Sequence, residues 1–228
     1  MVLYIVRHGE PDYSTDTLTE LGHSQAEAVS HRMAGSRVSK LYASPMGRAQ
    51  QTSMPTSRLL NLPVTTLPWA EELGKESQTP YPDGKMKNIF MVPTPLLASQ
   101  ENCAISFEDS LTTCPGLREN GFISRYNYIA SGLDELIEQH GYRRNDRGFY
   151  QAVEPNNQRI ALFCHAGMTR VAVSHIFSIP YQMIGSRFQS WFTGVTAILF
   201  PEDAEAGSEV APRLISYGDI GHLQGNPY

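Results

Sequence analysis

Two apolar runs, far apart in the chain, each end in a histidine followed by a glycine or an alanine. Val2–Val6 is rich in β-branched and aromatic residues and leads directly into Arg7-His8-Gly9-Glu10. Arg159–Cys164 leads in the same way into His165-Ala166-Gly167. Continuous apolar runs of this length are typical of strands that are buried on both faces of a sheet. Open α/β sheets bind ligands beyond the carboxyl ends of such strands, so we expect a ligand site at these two histidines.

A third segment places an arginine near the start of a helix. Lys40–Ser44 has the pattern of a short strand, and Pro45 follows it. Proline favours the first helical position because its missing N–H would have no partner there. The predicted helix covers residues 46–60, so Arg48 lies in its first turns, where the dipole and the free N–H groups attract anions. We therefore expect Arg48 at an anion site.

Strands and helices alternate along the rest of the chain. Thr19 is suited to cap a helix that extends to about Met33. Further helices are predicted at 122–140 and 168–177, and further strands at 63–67, 195–200 and 213–217. This alternation predicts one three-layer α/β/α domain over residues 1–228, with a mostly parallel central sheet. The apolar residues of the helix at 122–140 have helical spacing, which indicates core: Phe122, Tyr126, Ile129, Leu133 and Leu136.

Composition excludes several classes of protein. The 228 residues are 41% hydrophobic and 18% charged, as in ordinary globular domains. The net charge of −5 argues against a nucleic-acid surface, although a small anion pocket needs only local positive charge. Cys103, Cys114 and Cys164 form no disulfide framework, and Cys164 is expected to be a small core residue. No segment has the pattern of a signal peptide or a membrane span, so we expect a cytoplasmic protein.

Five motifs in this order resemble the histidine phosphatase superfamily (branch 1, phosphoglycerate mutase-like), which includes cofactor-dependent phosphoglycerate mutases and broad-specificity phosphatases. The resemblance runs from Leu3 to about His222. The motifs are RHGE at 7–10, LTELGHSQA at 18–26, SPMGRAQQT at 44–52, WAEEL at 69–73 and CHAG at 164–167.

The resemblance implies a role for each motif residue. His8 would be the phosphorylated nucleophile, Arg7, Arg48 and His165 would form the phosphate pocket, and Glu72 would be the proton donor. Glu71 takes that place if the alignment slips by one residue. The predicted phosphate contacts also include backbone and small side chains: Gly9, Ser14, Ala166 and Gly167.

The chemistry agrees with these residue types. A transferred phosphoryl group spreads charge over three oxygens, which two guanidinium forks can bind bidentately. The nucleophilic imidazole must be neutral, and a cationic pocket disfavours its protonation. Gly9 and Gly167 would let the backbone approach the phosphate closely. No metal or cofactor is needed, and the sequence contains no HExxH motif, EF-hand loop or paired CxxC.

Two departures from the family pattern stand out. Many members carry an asparagine six residues after the nucleophilic histidine, where this chain has Ser14. Serine is shorter, so we expect it to reach the phosphate only through water. The familiar LREIxxGxWEG segment is also absent, and Leu67–Glu76 takes its place. Alignment on the apolar residue that follows selects Glu72 as the acid.

Residues 75–118 break the alternation and predict a lid or specificity insertion within the domain. The segment contains repeated prolines and a turn signal at Pro82-Asp83-Gly84. In the family the matching region covers the mouth of the pocket. Its candidate contacts for a substrate tail, each more typical of solvated surface, are Tyr81, Lys85, Lys87 and Arg118. Arg143–Arg147 is predicted to be a solvated turn.

The resulting hypothesis is a phosphatase that hydrolyses a small phosphomonoester through a phosphohistidine and releases inorganic phosphate. Three alternatives remain: a mutase with the same nucleophile, a non-catalytic phosphate-binding module and a purely structural domain. Mutases resemble one another in an ERHYG-type segment and an arginine pair before a proline-rich loop, whereas this chain has Glu72-Leu73-Gly74-Lys75 and Arg143-Arg144. Neither a nucleic-acid nor a membrane partner is expected. The oligomeric state stays open, a homodimer included.

Overall fold

The computed structural model describes residues 1–81, 83–89 and 120–223. Most of the predicted lid therefore lies outside the described residues, together with Cys103, Cys114 and Arg118. No helix within the described ranges is long and apolar enough to cross a membrane.

Strands and helices alternate through the described part of the chain. The strands are β1 (Val2–Arg7), β2 (Pro11–Asp12), β3 (Thr17–Leu18), β4 (Lys40–Ala43), β5 (Val64–Thr66), β6 (Gln78–Pro80), β7 (Met86–Asn88), β8 (Tyr142–Arg144), β9 (Tyr150–Ala152), β10 (Arg159–Cys164), β11 (Val195–Leu199), β12 (Glu209–Val210) and β13 (Arg213–Asp219). The helices are α1 (Glu20–Gly35), α2 (Gly47–Leu60), α3 (Phe122–Gln139), α4 (Ala166–Phe177) and α5 (Tyr181–Arg187).

The central sheet has six strands in the order β13-β11-β1-β10-β4-β5. β1, β10, β4 and β5 are parallel. On the other side of β1, β11 pairs antiparallel with β1, and β13 pairs antiparallel with β11. Arg7 pairs with Cys164, and Phe163 pairs with Ala43, so β1, β10 and β4 end at nearly the same level. Residues that follow these three strands consequently meet at one edge of the sheet.

Alternate side chains of the strands form two cores, one on each face. Leu3, Ile5 and Leu162 pack with side chains of α3 and α4. Val6 and Phe163 pack on the opposite face, with Val29 and Met33 of α1. Each such buried side chain contributes on the order of 1.5–3 kcal/mol to stability. The predicted three-layer α/β/α architecture with a mostly parallel sheet is thereby confirmed.

Several elements differ from their predicted bounds. α1 begins after Thr19, whose hydroxyl accepts the Gly22 N–H at 3.0 Å, as the capping pattern predicted. α4 begins at Ala166, two residues before the predicted start, so Ala166 and Gly167 belong to its first turn. Arg143 and Arg144 belong to β8 instead of a turn. β8, β9 and β12, which pair in a small separate sheet, and the short helix α5 were not predicted.

Candidate active site

His8 follows β1 directly and is almost completely buried. Its N–H donates to the carbonyl of Cys164 at 2.9 Å, and its Nδ1 lies 2.7 Å from the carbonyl oxygen of Gly9. A carbonyl oxygen can only accept, so the hydrogen-bond pattern assigns the ring proton to Nδ1 and leaves a lone pair on Nε2. Burial, reinforced by the charges of Arg7 and Arg48, lowers the pKa of His8 to about 3. The ring is therefore neutral at physiological pH.

Two arginines bring positive charge to this ring. Arg7 donates to the carbonyl of Ser190, and its guanidinium carbon lies 4.1 Å from the centre of the Phe192 ring. Arg48, in the first turn of α2, is buried and donates to the carboxylate of Asp16. The second oxygen of Asp16 accepts the Gly47 N–H at 2.6 Å. Asp16 thus connects the β2–β3 hairpin to Arg48, a contact that no sequence motif indicated.

His165 follows β10 and faces His8, with 5.2 Å between the two ring centres. It is fully buried, and its Nε2 lies 2.8 Å from the hydroxyl oxygen of Ser44. Its other ring nitrogen, Nδ1, is buried without a hydrogen-bond partner among the described residues. Burial, together with His8 and the two arginines, lowers the pKa of His165 well below its ordinary value. Both histidines are thus neutral and adjacent.

Glu72 lies at the amino terminus of α4, next to His165. Its carboxylate accepts the N–H groups of Gly167 and Met168, both at 3.2 Å, and of Leu73 at 2.9 Å. Glu71 instead points outwards, with its carboxylate exposed and 3.9 Å from Arg125. Of the two candidate acids, Glu72 is therefore the one that contacts the helix start directly after His165.

The two motif glycines make close approaches to protein groups. A Cβ on Gly9 would lie 2.6 Å from the carbonyl oxygen of Gly22 in α1, and one on Gly167 would lie 2.5 Å from a carboxylate oxygen of Glu72. Glycine at 167 is thus what admits the Glu72 carboxylate to the helix terminus. The predicted approach of these two glycines to a phosphate group stays a prediction.

Ser14 and Lys87 were also predicted as contacts of the substrate, and the structure shows each of them in contact with neighbouring side chains. Ser14 is exposed, and its hydroxyl donates to Asp12 at 2.6 Å, so its predicted contact with phosphate through water stays a prediction. Tyr13, its exposed neighbour, has its ring centre 5.6 Å from the guanidinium carbon of Arg48. Lys87 contacts the Tyr81 ring at 3.6 Å and Asp83 at 3.2 Å, all within one hairpin.

Cys164 fits the expectation of a small core residue. It is fully buried, and burial raises the pKa of its thiol to about 12. Within residues 1–81, 83–89 and 120–223, no three histidine, cysteine, aspartate or glutamate side chains are grouped to hold a metal ion.

A family model matches the part of the chain that carries most of this site. The model of the histidine phosphatase superfamily (branch 1) matches residues 3–77, which include His8, Arg7, Arg48 and Glu72. The resemblance to this superfamily is thereby confirmed. No curated protein matches the sequence significantly.

Solved structures share the fold over nearly the whole chain. Phosphoserine phosphatase from Entamoeba histolytica, in complex with 3-phosphoglyceric acid, is 21% identical, with 97% of this chain and 98% of that chain covered and a TM-score of 0.63. Mycobacterial glucosyl-3-phosphoglycerate phosphatase with VO3 is 17% identical (95% and 98% covered, TM-score 0.61). Alpha-ribazole phosphatase from Shigella flexneri is 20% identical (99% and 100% covered, TM-score 0.60). These likenesses support the predicted fold class.

Proposed function

We propose that the protein hydrolyses a small phosphomonoester through a phosphohistidine on His8. The observation that carries the proposal is the state of His8. It is a buried, neutral imidazole with its proton held on Nδ1 and its Nε2 lone pair available, and the charges of Arg7 and Arg48 both reach it. A nucleophile in that state needs no separate base.

In the proposed first step, Nε2 of His8 attacks the phosphorus atom, and the bond from phosphorus to the ester oxygen breaks. Arg7, Arg48 and His165 bind the phosphoryl oxygens, where negative charge is spread in the transition state. Glu72 delivers a proton to the departing oxygen, so that the alcohol leaves neutral. In the second step water attacks the phosphohistidine, Glu72 takes up the proton of the water, and inorganic phosphate is released.

We propose hydrolysis over mutase transfer because three basic side chains that could have held a second acidic group, Lys87, Arg143 and Arg144, are engaged elsewhere. Lys87 contacts Tyr81 and Asp83, and Arg143 is 2.6 Å from Glu138 on the surface. Arg144 donates to the carbonyl of His175 near the far end of α4, roughly 14 Å along the helix from Ala166. A mutase must hold a twice-phosphorylated intermediate while it turns over.

Several further properties stay predictions: the single-domain organisation, the lid at 75–118, the cytoplasmic location and a homodimer.

A screen of purified protein against phosphomonoesters tests the proposal. The panel includes an aryl phosphate, phosphoserine, 3-phosphoglycerate and sugar phosphates, and phosphate release is measured. We expect wild type and His23→Ala, which changes an exposed histidine, to release phosphate, and His8→Ala to release none. Full activity of His8→Ala would overturn the nucleophile. Rapid interconversion of phosphoglycerates with catalytic 2,3-bisphosphoglycerate and little free phosphate would make the protein a mutase.

A further inference from the structure

The hydroxyl of Ser44 lies where the chain leaves β4, against the ring of His165. Its oxygen is 2.8 Å from Nε2 of His165, and both residues are fully buried. The N–H of Ser44 donates to the carbonyl of Phe163 at 2.9 Å, which continues the β4–β10 pairing one residue beyond β4. The register of two parallel strands therefore fixes this hydroxyl next to this ring.

The direction of the hydrogen bond follows from what each atom can donate. The Met46 N–H donates to the Ser44 oxygen at 3.2 Å and occupies one lone pair. If Nε2 of His165 also donated to Ser44, the serine proton would have no acceptor within the described part of the chain. If Ser44 donates to Nε2 instead, its single proton is used. The second arrangement satisfies the buried hydroxyl, as buried polar groups require.

A serine that donates to Nε2 also determines the other ring nitrogen of His165. Burial, His8 and the arginines lower the pKa of His165, so the neutral ring carries one proton. With Nε2 accepting, that proton is on Nδ1, the buried nitrogen without a partner among the described residues. In the opposite tautomer Nδ1 would offer a lone pair, which negatively charged phosphoryl oxygens repel.

We propose that Ser44 is a positioning residue that holds His165 in the tautomer with its proton on Nδ1, so that this N–H donates to a phosphoryl oxygen. The inference rests on the proposed function, because only a bound phosphoryl group makes the tautomer matter for turnover. Each histidine then carries its proton on Nδ1, but for a different purpose. The Gly9 carbonyl fixes the proton of His8 on Nδ1 and frees Nε2 for attack, whereas the Ser44 hydroxyl fixes the proton of His165 for donation.

Histidine-selective ¹⁵N NMR of the resting protein, combined with kinetics on an aryl phosphate, tests the assignment. Protonated and unprotonated imidazole nitrogens have well separated ¹⁵N resonances. Three variants are compared with wild type: Ser44→Ala, Ser44→Thr and Ser53→Ala. Ser53 is the matched control, because its equally buried hydroxyl, in α2, donates to the Gln50 carbonyl at 2.7 Å.

We expect His165 of the wild type to carry its proton on Nδ1. Ser44→Ala should lose this single tautomer and lower kcat by about 10- to 100-fold, more than it raises KM, because a donor is no longer aimed at the transition state. Ser44→Thr, which keeps the hydroxyl, should retain the tautomer and most of the turnover, and Ser53→Ala should match wild type.

A wild-type His165 with its proton on Nε2 would overturn the proposal, and this spectrum needs no variant to fold. Retention of the Nδ1 tautomer and of full kcat in Ser44→Ala would also overturn it. If wild type hydrolyses no phosphomonoester, the proposed function fails, and the resting spectra still decide whether Ser44 sets the tautomer.

Discussion

Glu72 and Glu71 are neighbours in the chain, but only Glu72 contacts the start of α4. The Glu72 carboxylate is held by N–H groups at the start of α4, immediately after His165. The glycine at 167 leaves room for it, whereas Glu71 faces Arg125 at the surface. A shift of the alignment by one residue therefore replaces a carboxylate in the candidate site by one that is exposed to solvent.

The proposed role of Glu72 predicts a dependence on the leaving group. Glu72→Gln keeps the size and a carbonyl oxygen that can accept from the helix, but the amide cannot transfer a proton. We expect turnover of alkyl phosphates to fall by about 10²- to 10⁴-fold and turnover of aryl phosphates, which have good leaving groups, to fall much less. Glu71→Gln is the control and should match wild type on both. The reverse pattern would move the acid to Glu71.

The β2–β3 hairpin lies outside the central sheet and supports the proposed phosphate pocket through Asp16. Asp16, whose φ of 54° is in the left-handed region that aspartate tolerates better than most residues, contacts both Arg48 and the first N–H of α2. The Asp12 carboxylate, in the same hairpin, instead accepts hydrogen bonds from its near neighbours in the chain, Ser14 and Thr15. The two aspartates therefore offer a matched pair for mutation.

We expect Asp16→Ala to lower kcat/KM by roughly 10- to 100-fold, because Arg48 loses the carboxylate that orients it. Phosphate should also protect this variant less than wild type against thermal unfolding, since its anion site is less ordered. Asp12→Ala should leave both measurements near wild type. Equal effects of the two substitutions would mean that the hairpin matters only for stability.

The elements that could be predicted from the sequence are those with a long apolar run or a long helical spacing of apolar residues. The apolar runs of β1 and β10 located both histidines, and the spacing of Phe122, Ile129 and Leu133 identified the buried face of α3. Three-residue strands such as β8 and β9 have no comparable pattern. The sequence predicts the start of α4 two residues too late because Gly167 has weak helical propensity, while Glu72, 95 residues away in the chain, accepts free N–H groups of its first turn.

In the candidate site, too, residues that belong to a local sequence motif were predicted, whereas contacts between distant segments were not. Motifs indicated Arg7, His8, Arg48, Glu72 and His165, and the structure brings these side chains to one edge of the sheet. The contacts of Asp16 with Arg48 and of Ser44 with His165 were not predicted, because they join segments 32 and 121 residues apart. Tertiary hydrogen bonds of this kind follow from strand register and hairpin placement, which no local pattern encodes.

For the molecule as a whole, buried and half-buried histidines make stability depend on pH. Burial is the main cause that lowers the pKa of His8 to about 3 and of His222 to about 4, and it also lowers those of His140 and His165. In the unfolded chain the pKa is about 6.5, so below that pH the unfolded state binds more protons than the folded state. The stability present above pH 6.5 is therefore lost as the pH falls.

We expect the free energy of unfolding, measured by urea denaturation, to decrease by up to about 1.4 kcal/mol per pH unit for His8 between pH 6.5 and about 4, and by less for the partly exposed His222. His222→Gln should make the dependence less steep, and the exposed His23→Gln should leave it unchanged. A free energy of unfolding that stays constant from pH 7 to pH 5 would contradict this assignment of neutral buried rings.

The most direct test of the account is to trap the phosphorylated protein during turnover. Wild type is mixed with a ³²P-labelled phosphomonoester, quenched in alkali within milliseconds to seconds, digested and mapped. We expect phosphate that is stable in alkali and labile in acid, located on the peptide that contains His8 and absent from His8→Ala. Turnover with no labelled protein at any time, or a label on a residue other than His8, would contradict it.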